Sequence, residues 1–266
     1  MNTILLLASS ALISVFAHFV ENTAAQRGIS LDEAASMLYN LGIRGYDIDA
    51  DSPNFEALAA TKLKPINIYY LPQWLTNGDD EEHNLKCLNR ASSKGVPRIM
   101  IVAPEFTGKA DKETEFLIIE ARLKKFVAAA KARGITVTVE DFGFTGTYGY
   151  CCNRLSYIER FLKDIPDLKV ALDSGNFFYN NLGDDILELM KKYRDRIVHV
   201  HLKDQPAEDH HKFVSLGMGA VPNREIVRYM KAAGYEGWWT LEEWEKDAYF
   251  DAIRQVNVFK AYYEGK

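Results

Sequence analysis

The sequence predicts an α/β fold, a (β/α)8 TIM barrel, and three observations predict it. Short runs of β-branched and aromatic residues alternate strictly with amphipathic stretches of ten or more residues, the rhythm of parallel strands joined by crossover helices. The alternation can be counted eight times. A chain of 266 residues is also about the length that one such barrel needs. No low-complexity tract, internal repeat or Pro/Gly-rich linker divides the sequence, so residues 1–266 are expected to form one domain.

The first strand is placed at Leu12–Phe16, because counting from later strands leaves the barrel one short without it. The first helix is placed at 30–42, where Ser30-Leu-Asp-Glu33 sets an acid at the third helical position as in a capping box. Residues 45–49 are the second strand, 55–62 a short helix and 66–70 the third strand. A helix over 80–94 and a strand over 98–103 follow. The long helix 112–133 stops at Gly134, the residue type favoured just past a helix end. Thr136–Glu140 is the fifth strand, 153–163 its helix, Lys169–Asp173 the sixth strand and 182–193 its helix. Strand 197–203, helix 222–233, strand 238–242 and helix 249–263 close the ring. A doubly wound dinucleotide-binding sheet is the alternative, but no G-x-G-x-x-G follows an early strand and no P-loop occurs.

The apolar run 4–20 imitates a signal peptide, yet no Lys or Arg precedes it and His18 interrupts it. A buried first strand in a cytoplasmic protein is the expected reading, with export as the alternative. A hydrophobic fraction of 47% and a charged fraction of 26% suit a globular enzyme. The formal charge of −5 argues against nucleic acid as a partner, and no membrane partner is expected. It fits a small uncharged sugar or keto-polyol better than a polyanion. A homo-oligomer is compatible with this composition. Cys87, Cys151 and Cys152 make no disulfide framework.

The last four strands each end in a residue that can bind a metal: Glu140, Asp173, His201 and Glu242. The intervals from 140 to 173, 173 to 201 and 201 to 242 are 33, 28 and 41 residues, each about one βα unit. In a barrel this repetition brings all four side chains to the carboxyl face, where the active sites of such folds lie. Three acids converging with one imidazole would repel one another without a cation. The oxygen-rich set suits one divalent ion, Mn²⁺, Mg²⁺ or Co²⁺, with Zn²⁺ admissible.

These stretches resemble the xylose isomerase-like barrel superfamily, the sugar isomerase and epimerase group that includes endonuclease IV. The resemblance is carried by Val139-Glu140-Asp141, by Asp173-Ser-Gly-Asn176 and by His199-Val-His201-Leu-Lys203-Asp204. It extends to Leu216-Gly-Met-Gly219 and to Gly234 through Glu242. It is sharpest over 135–245 and only topological before that. It implies a metal-dependent isomerase or epimerase, like the ketose 3-epimerases, that moves a proton α to a carbonyl through an enediolate. Glu140 and Glu242 are then the acid/base pair, while Asp173 and His201 only hold the ion. Many relatives carry His where this chain has Asn176, which can hydrogen-bond substrate but cannot titrate near neutrality. A keto-polyol dehydratase or lyase of the inosose dehydratase kind would use the same site.

Asn176, Asp47, His18, Lys203, Asp204 and His199 are candidate substrate contacts. Asp47 is equally a candidate support behind the ligands, His199 a candidate core histidine and Asp204 a candidate anchor for the ligand histidine or a loop ion pair. Trp74, Phe106 and Phe177 are candidate walls or plain packing. An endonuclease IV-like site would need histidines after the third and fourth strands. Those strands have none, and the Asp209-His210-His211 run has a different spacing from His201. A non-catalytic sugar-binding barrel is the remaining class, and the intact ligand set argues against it.

Overall fold

The computed structural model describes residues 11–102, 104–142, 146–179, 183–242 and 246–266. Strands β1 (Leu12–Phe16), β2 (Ile43–Asp49), β3 (Lys64–Tyr70), β4 (Arg98–Ile101), β5 (Thr136–Glu140), β6 (Lys169–Asp173), β7 (Ile197–Leu202) and β8 (Trp238–Leu241) form one closed barrel in sequence order. Every neighbouring pair is parallel, and β8 closes onto β1 with Thr240 opposite Ser14. Of the signal-like run 4–20, residues 4–10 lie outside the described residues, and β1 occupies the position expected for it. No described helix is long and apolar enough to cross a membrane.

Helices α1 (Ala17–Arg27), α2 (Leu31–Leu41), α3 (Phe55–Ala59), α4 (Glu81–Lys94), α5 (Lys112–Lys131), α6 (Leu155–Asp164), α7 (Asn176–Tyr179), α8 (Gly183–Tyr193), α9 (Asn223–Ala232) and α10 (Ala248–Glu264) fill the connections. The expected capping box opens α2: Glu33 N donates to Ser30 Oγ at 3.2 Å, and Ser30 N donates to Glu33 Oε2 at 2.9 Å. Helix α1 is not among the expected elements. It follows β1 with no turn residue between, has no side-chain cap at its start, and is ended by Gly28 in the left-handed region at φ 63°. The cues that mark a helix in sequence are absent at its N-terminus.

Because strand side chains alternate, β5 sends Val137 and Val139 outward under the helices and Thr138 and Glu140 inward. The same alternation puts Val170 and Leu172, Val200 and Leu202, and Trp239 and Leu241 in the outer apolar core. The inner face is different in kind. Branched aliphatic side chains usually fill a barrel of this type, whereas here Ser14, Asp47, Asn67, Thr138, His199 and Thr240 lie inside at 0% exposure. Ser14, Asp47, Asn67, His199 and Thr240 are linked to one another by hydrogen bonds, and they form the floor of the site above them.

Candidate metal centre and active site

Glu140 ends β5, Asp173 ends β6, His201 lies near the end of β7 and Glu242 immediately follows β8. All four are buried. His201 Nδ1 lies 2.8 Å from Glu140 Oε1 and 3.7 Å from Glu242 Oε1. Donor atoms of Glu140, Asp173 and His201 all fall within 4.8 Å of one another. The convergence expected from four strand ends is therefore present.

Asp173 has two jobs, one for each oxygen. Its Oδ1 accepts from the backbone N–H of Gly175 at 2.8 Å and of Asn176 at 3.0 Å, which starts the single turn α7. Its Oδ2 faces the Lys203 ammonium at 2.9 Å. Lys203 Nζ also reaches Glu242 Oε2 at 3.2 Å and donates to Asn176 Oδ1 at 3.1 Å. The stem of Lys203 lies over Gly175, where a Cβ would meet its Cγ at 3.0 Å. Glycine at this position leaves room for the lysine. Asp141, part of the Val139–Asp141 stretch but given no role from sequence, fastens the arrangement: its Oδ1 accepts from Asp173 N at 2.7 Å, and its main-chain oxygen accepts from Asn176 Nδ2 at 2.7 Å. Its place directly after Glu140 is the signal that could have found it.

Electrostatics follow from burial. Burial pushes the Glu242 carboxyl up to about 8, with the Asp173 and Glu140 charges adding to the rise and Lys203 and His201 opposing it. Burial alone would lower His201. Its hydrogen bonds to Asp47 and Glu140 more than reverse that and hold the imidazole well above its ordinary value. His18 is lowered to about 4 by burial and is therefore a neutral imidazole at physiological pH. Four buried carboxyl groups, Glu140, Asp173, Glu242 and Asp47, thus share one ammonium and one imidazolium. The oxygen-rich set of Glu140, Asp173 and Glu242 with the one nitrogen of His201 fits a divalent cation, whose charge would offset the repulsion that raises Glu242.

Above these groups opens a cavity of about 310 Å³, at the small end of ligand pockets. Glu140, Asn176, Lys203, Glu242 and His18 give its lining polar groups, and Phe16, Tyr69, Met100 and Phe142 give it a largely apolar wall. The ring of Phe16 stands edge-on to His201 at 5.1 Å between centroids. Those wall residues come from β1, β3, β4 and the segment after β5, where alternation alone gives no functional signal. Trp74 and Phe177 belong instead to the outer core, and Phe106 lines a neighbouring cavity of about 390 Å³.

Three other expected contacts are placed elsewhere. Asp47 and His199 lie inside the barrel beneath His201 and do not line the cavity. Asp204 spends both oxygens on backbone amides. Gly217 N and Gly219 N donate to Oδ2 at 2.9 and 3.0 Å, and Gln205 N and Val221 N donate to Oδ1 at 3.0 and 3.2 Å. It ties the loop between β7 and α9, and the Leu216–Gly219 motif serves that tie. A Cβ at Gly219 would lie 2.3 Å from Asp204 Oδ1.

Comparison with known proteins agrees with the barrel fold. An inosose dehydratase of Geobacillus thermodenitrificans is 31% identical over 103 residues, 32% of this chain and 34% of that protein. The chain thus matches about a third of that relative's length. Among solved structures, one described as a probable 3-DHS dehydratase of Bacillus anthracis superposes with a TM-score of 0.75 at 16% identity, covering 94% of this chain and 98% of the other. An L-ribulose 3-epimerase superposes with a TM-score of 0.74 at 16% identity, covering 96% and 95%. At such identities the superpositions speak for the fold. The family model of the xylose isomerase-like TIM barrel matches residues 32–261, nearly the whole barrel, and the chain belongs to that family.

Proposed function

We propose that this protein is a divalent-metal-dependent isomerase or epimerase that moves a proton α to the carbonyl of a small, neutral, polyhydroxylated ketone. The observation that carries this reading is the pair Glu140 and Glu242. Their carboxylates come from different strands and meet at one imidazole nitrogen, at 2.8 and 3.7 Å, in the floor of a single cavity. One glutamate, as carboxylate, takes the α-proton and the other, as carboxylic acid, returns a proton to the enediolate, each step worth roughly 10²–10⁴-fold. Glu140, Asp173, His201 and Glu242 would hold the cation, which when bound supplies positive charge beside the developing enediolate oxygens. Lys203 holds Asp173 and Glu242 in place and donates toward Asn176. The apolar wall excludes water from the reacting carbon. Lys203 is the only Lys or Arg lining the cavity among the described residues. Its charge is already shared by two carboxylates, which supports a substrate without phosphate.

A second reading, loss of water from a keto-polyol, has its own support. The relatives that match by sequence, from Geobacillus and Clostridium among others, are named inosose dehydratase. The Lys203 ammonium sits in the cavity, where it can hand a proton to a departing hydroxyl while a glutamate holds the α-proton. One experiment separates the two. A panel of ketoses and keto-inositols is incubated in heavy water with Mn²⁺, beside a chelated control. Exchange of the α-hydrogen with recovery of isomeric ketone is the expected result. Exchange with formation of an unsaturated ketone assigns the dehydratase, and no exchange with any member of the panel contradicts both.

A further inference from the structure

We propose that Asp47 is a positioning residue, the carboxylate that fixes the tautomer and ring orientation of His201 so that Nδ1 is presented to the cation. This rests on the metal-dependent reading above and names a part of its machinery contributed by the opposite half of the barrel. The proton inventory of the floor points in one direction. Asp47 Oδ2 lies 3.1 Å from His201 Nε2, and an ionised carboxylate only accepts. The proton of that contact therefore sits on Nε2, so Nδ1, on the side of Glu140 and Glu242, is the nitrogen that would give up its proton to a cation.

Asp47 is itself held from three sides. Asn67 Nδ2 donates to Oδ2 at 2.7 Å, and Thr240 Oγ1 donates to Oδ1 at 3.2 Å. With the single hydroxyl proton of Thr240 spent on Asp47, the 2.6 Å contact between His199 Nε2 and Thr240 Oγ1 makes His199 Nε2 the donor. That leaves His199 Nδ1 bare, and among the described residues this buried nitrogen finds no hydrogen-bond partner. Asp47, His199 and His201 are close enough to form a cation cluster of their own. The bonds from Asn67 and His201 already take both lone pairs of Oδ2, however, and a cation there would compete for the one that accepts from His201. The geometry is that of a carboxylate behind a ligand histidine, an arrangement whose loss commonly weakens metal binding about 10–100-fold.

The test is calorimetric titration of Mn²⁺ into the full chain, with imidazole ¹⁵N spectra of the metal-free protein assigned against a His201→Asn variant. Asp47→Ala is expected to weaken Mn²⁺ binding about 10–100-fold and to bring the His201 Nε2–H into fast exchange with solvent. Asp47→Asn keeps the volume and one acceptor oxygen, so it should fall between wild type and alanine in both readouts. Mn²⁺ affinity and a His201 resonance unchanged in a folded alanine variant would overturn the proposal. Should the alanine variant not fold, wild-type values in Asp47→Asn would do the same. If the wild-type chain binds no Mn²⁺, the metal reading itself falls, while the His201 resonance still decides whether Asp47 holds the ring.

Discussion

Replacing Glu242 by Gln is expected to lower turnover by about 10²–10⁴-fold while leaving the barrel folded. The amide matches the carboxyl in size but can neither take nor return a proton. Glu242 is buried beside Asp173 and Glu140, and its repulsion with them contributes to pushing its carboxyl up to about 8. Raised to about 8, that carboxyl is largely protonated in the metal-free protein at neutral pH, so the amide replaces a neutral group and the thermal midpoint should not fall. Turnover is to be measured at Mn²⁺ concentrations that saturate the variant, so that a lost ligand is separated from a lost proton carrier. A rate near that of wild type under those conditions would remove Glu242 from proton transfer.

Chelation is expected to abolish turnover and to destabilise the protein by an amount that grows with pH. In the metal-free fold the Glu242 carboxyl is raised from 4.5 to about 8, and the His201 imidazole is raised above 6.5. The folded state then binds more protons than the unfolded chain. Each group stabilises fully below its unfolded value, and that contribution is lost as pH rises through its folded value. Stability of the metal-free protein should accordingly decline from about pH 5 upward through Glu242, with His201 adding to the decline above 6.5. A cation would displace the protons it competes with, so its affinity should rise over the same interval. At a hundredfold excess over its Kd it should add about 2.7 kcal/mol, a shift of several degrees in Tm. Thermal melts with and without Mn²⁺ at pH 5, 7 and 9 check this, and a metal-induced shift that shrinks with pH would contradict it.

The barrel was legible because its strands alternate so regularly. In Thr136–Glu140 and Lys169–Asp173 the valines and leucines that face the helices stand one residue apart from the groups that face the interior, and both strands have the predicted bounds. The metal-ligand candidates were legible for the same reason, each continuing the interior alternation to the end of its strand or, for Glu242, one residue past it. What escaped depends on contacts across the barrel. Asp47 was legible as a candidate support behind the ligands but its contact with His201 was not, and Asp49 on the same strand lines a separate cavity with Glu21 and Asn54. Asp204 reads as a ligand anchor by its nearness to His201, yet the loop after β7 folds back and claims its carboxylate with four amides. Helix α1 escaped because β1 passes into it without a turn. The wall of Phe16, Tyr69, Met100 and Phe142 assembles from segments far apart in sequence.

Crystals soaked in Mn²⁺ and measured at the manganese absorption edge probe the floor of this barrel most directly. One anomalous peak per chain is predicted, within coordination distance of Glu140, Asp173, His201 and Glu242. A saturating soak that leaves those side chains without a peak, or that places the ion on other residues, would contradict the central claim.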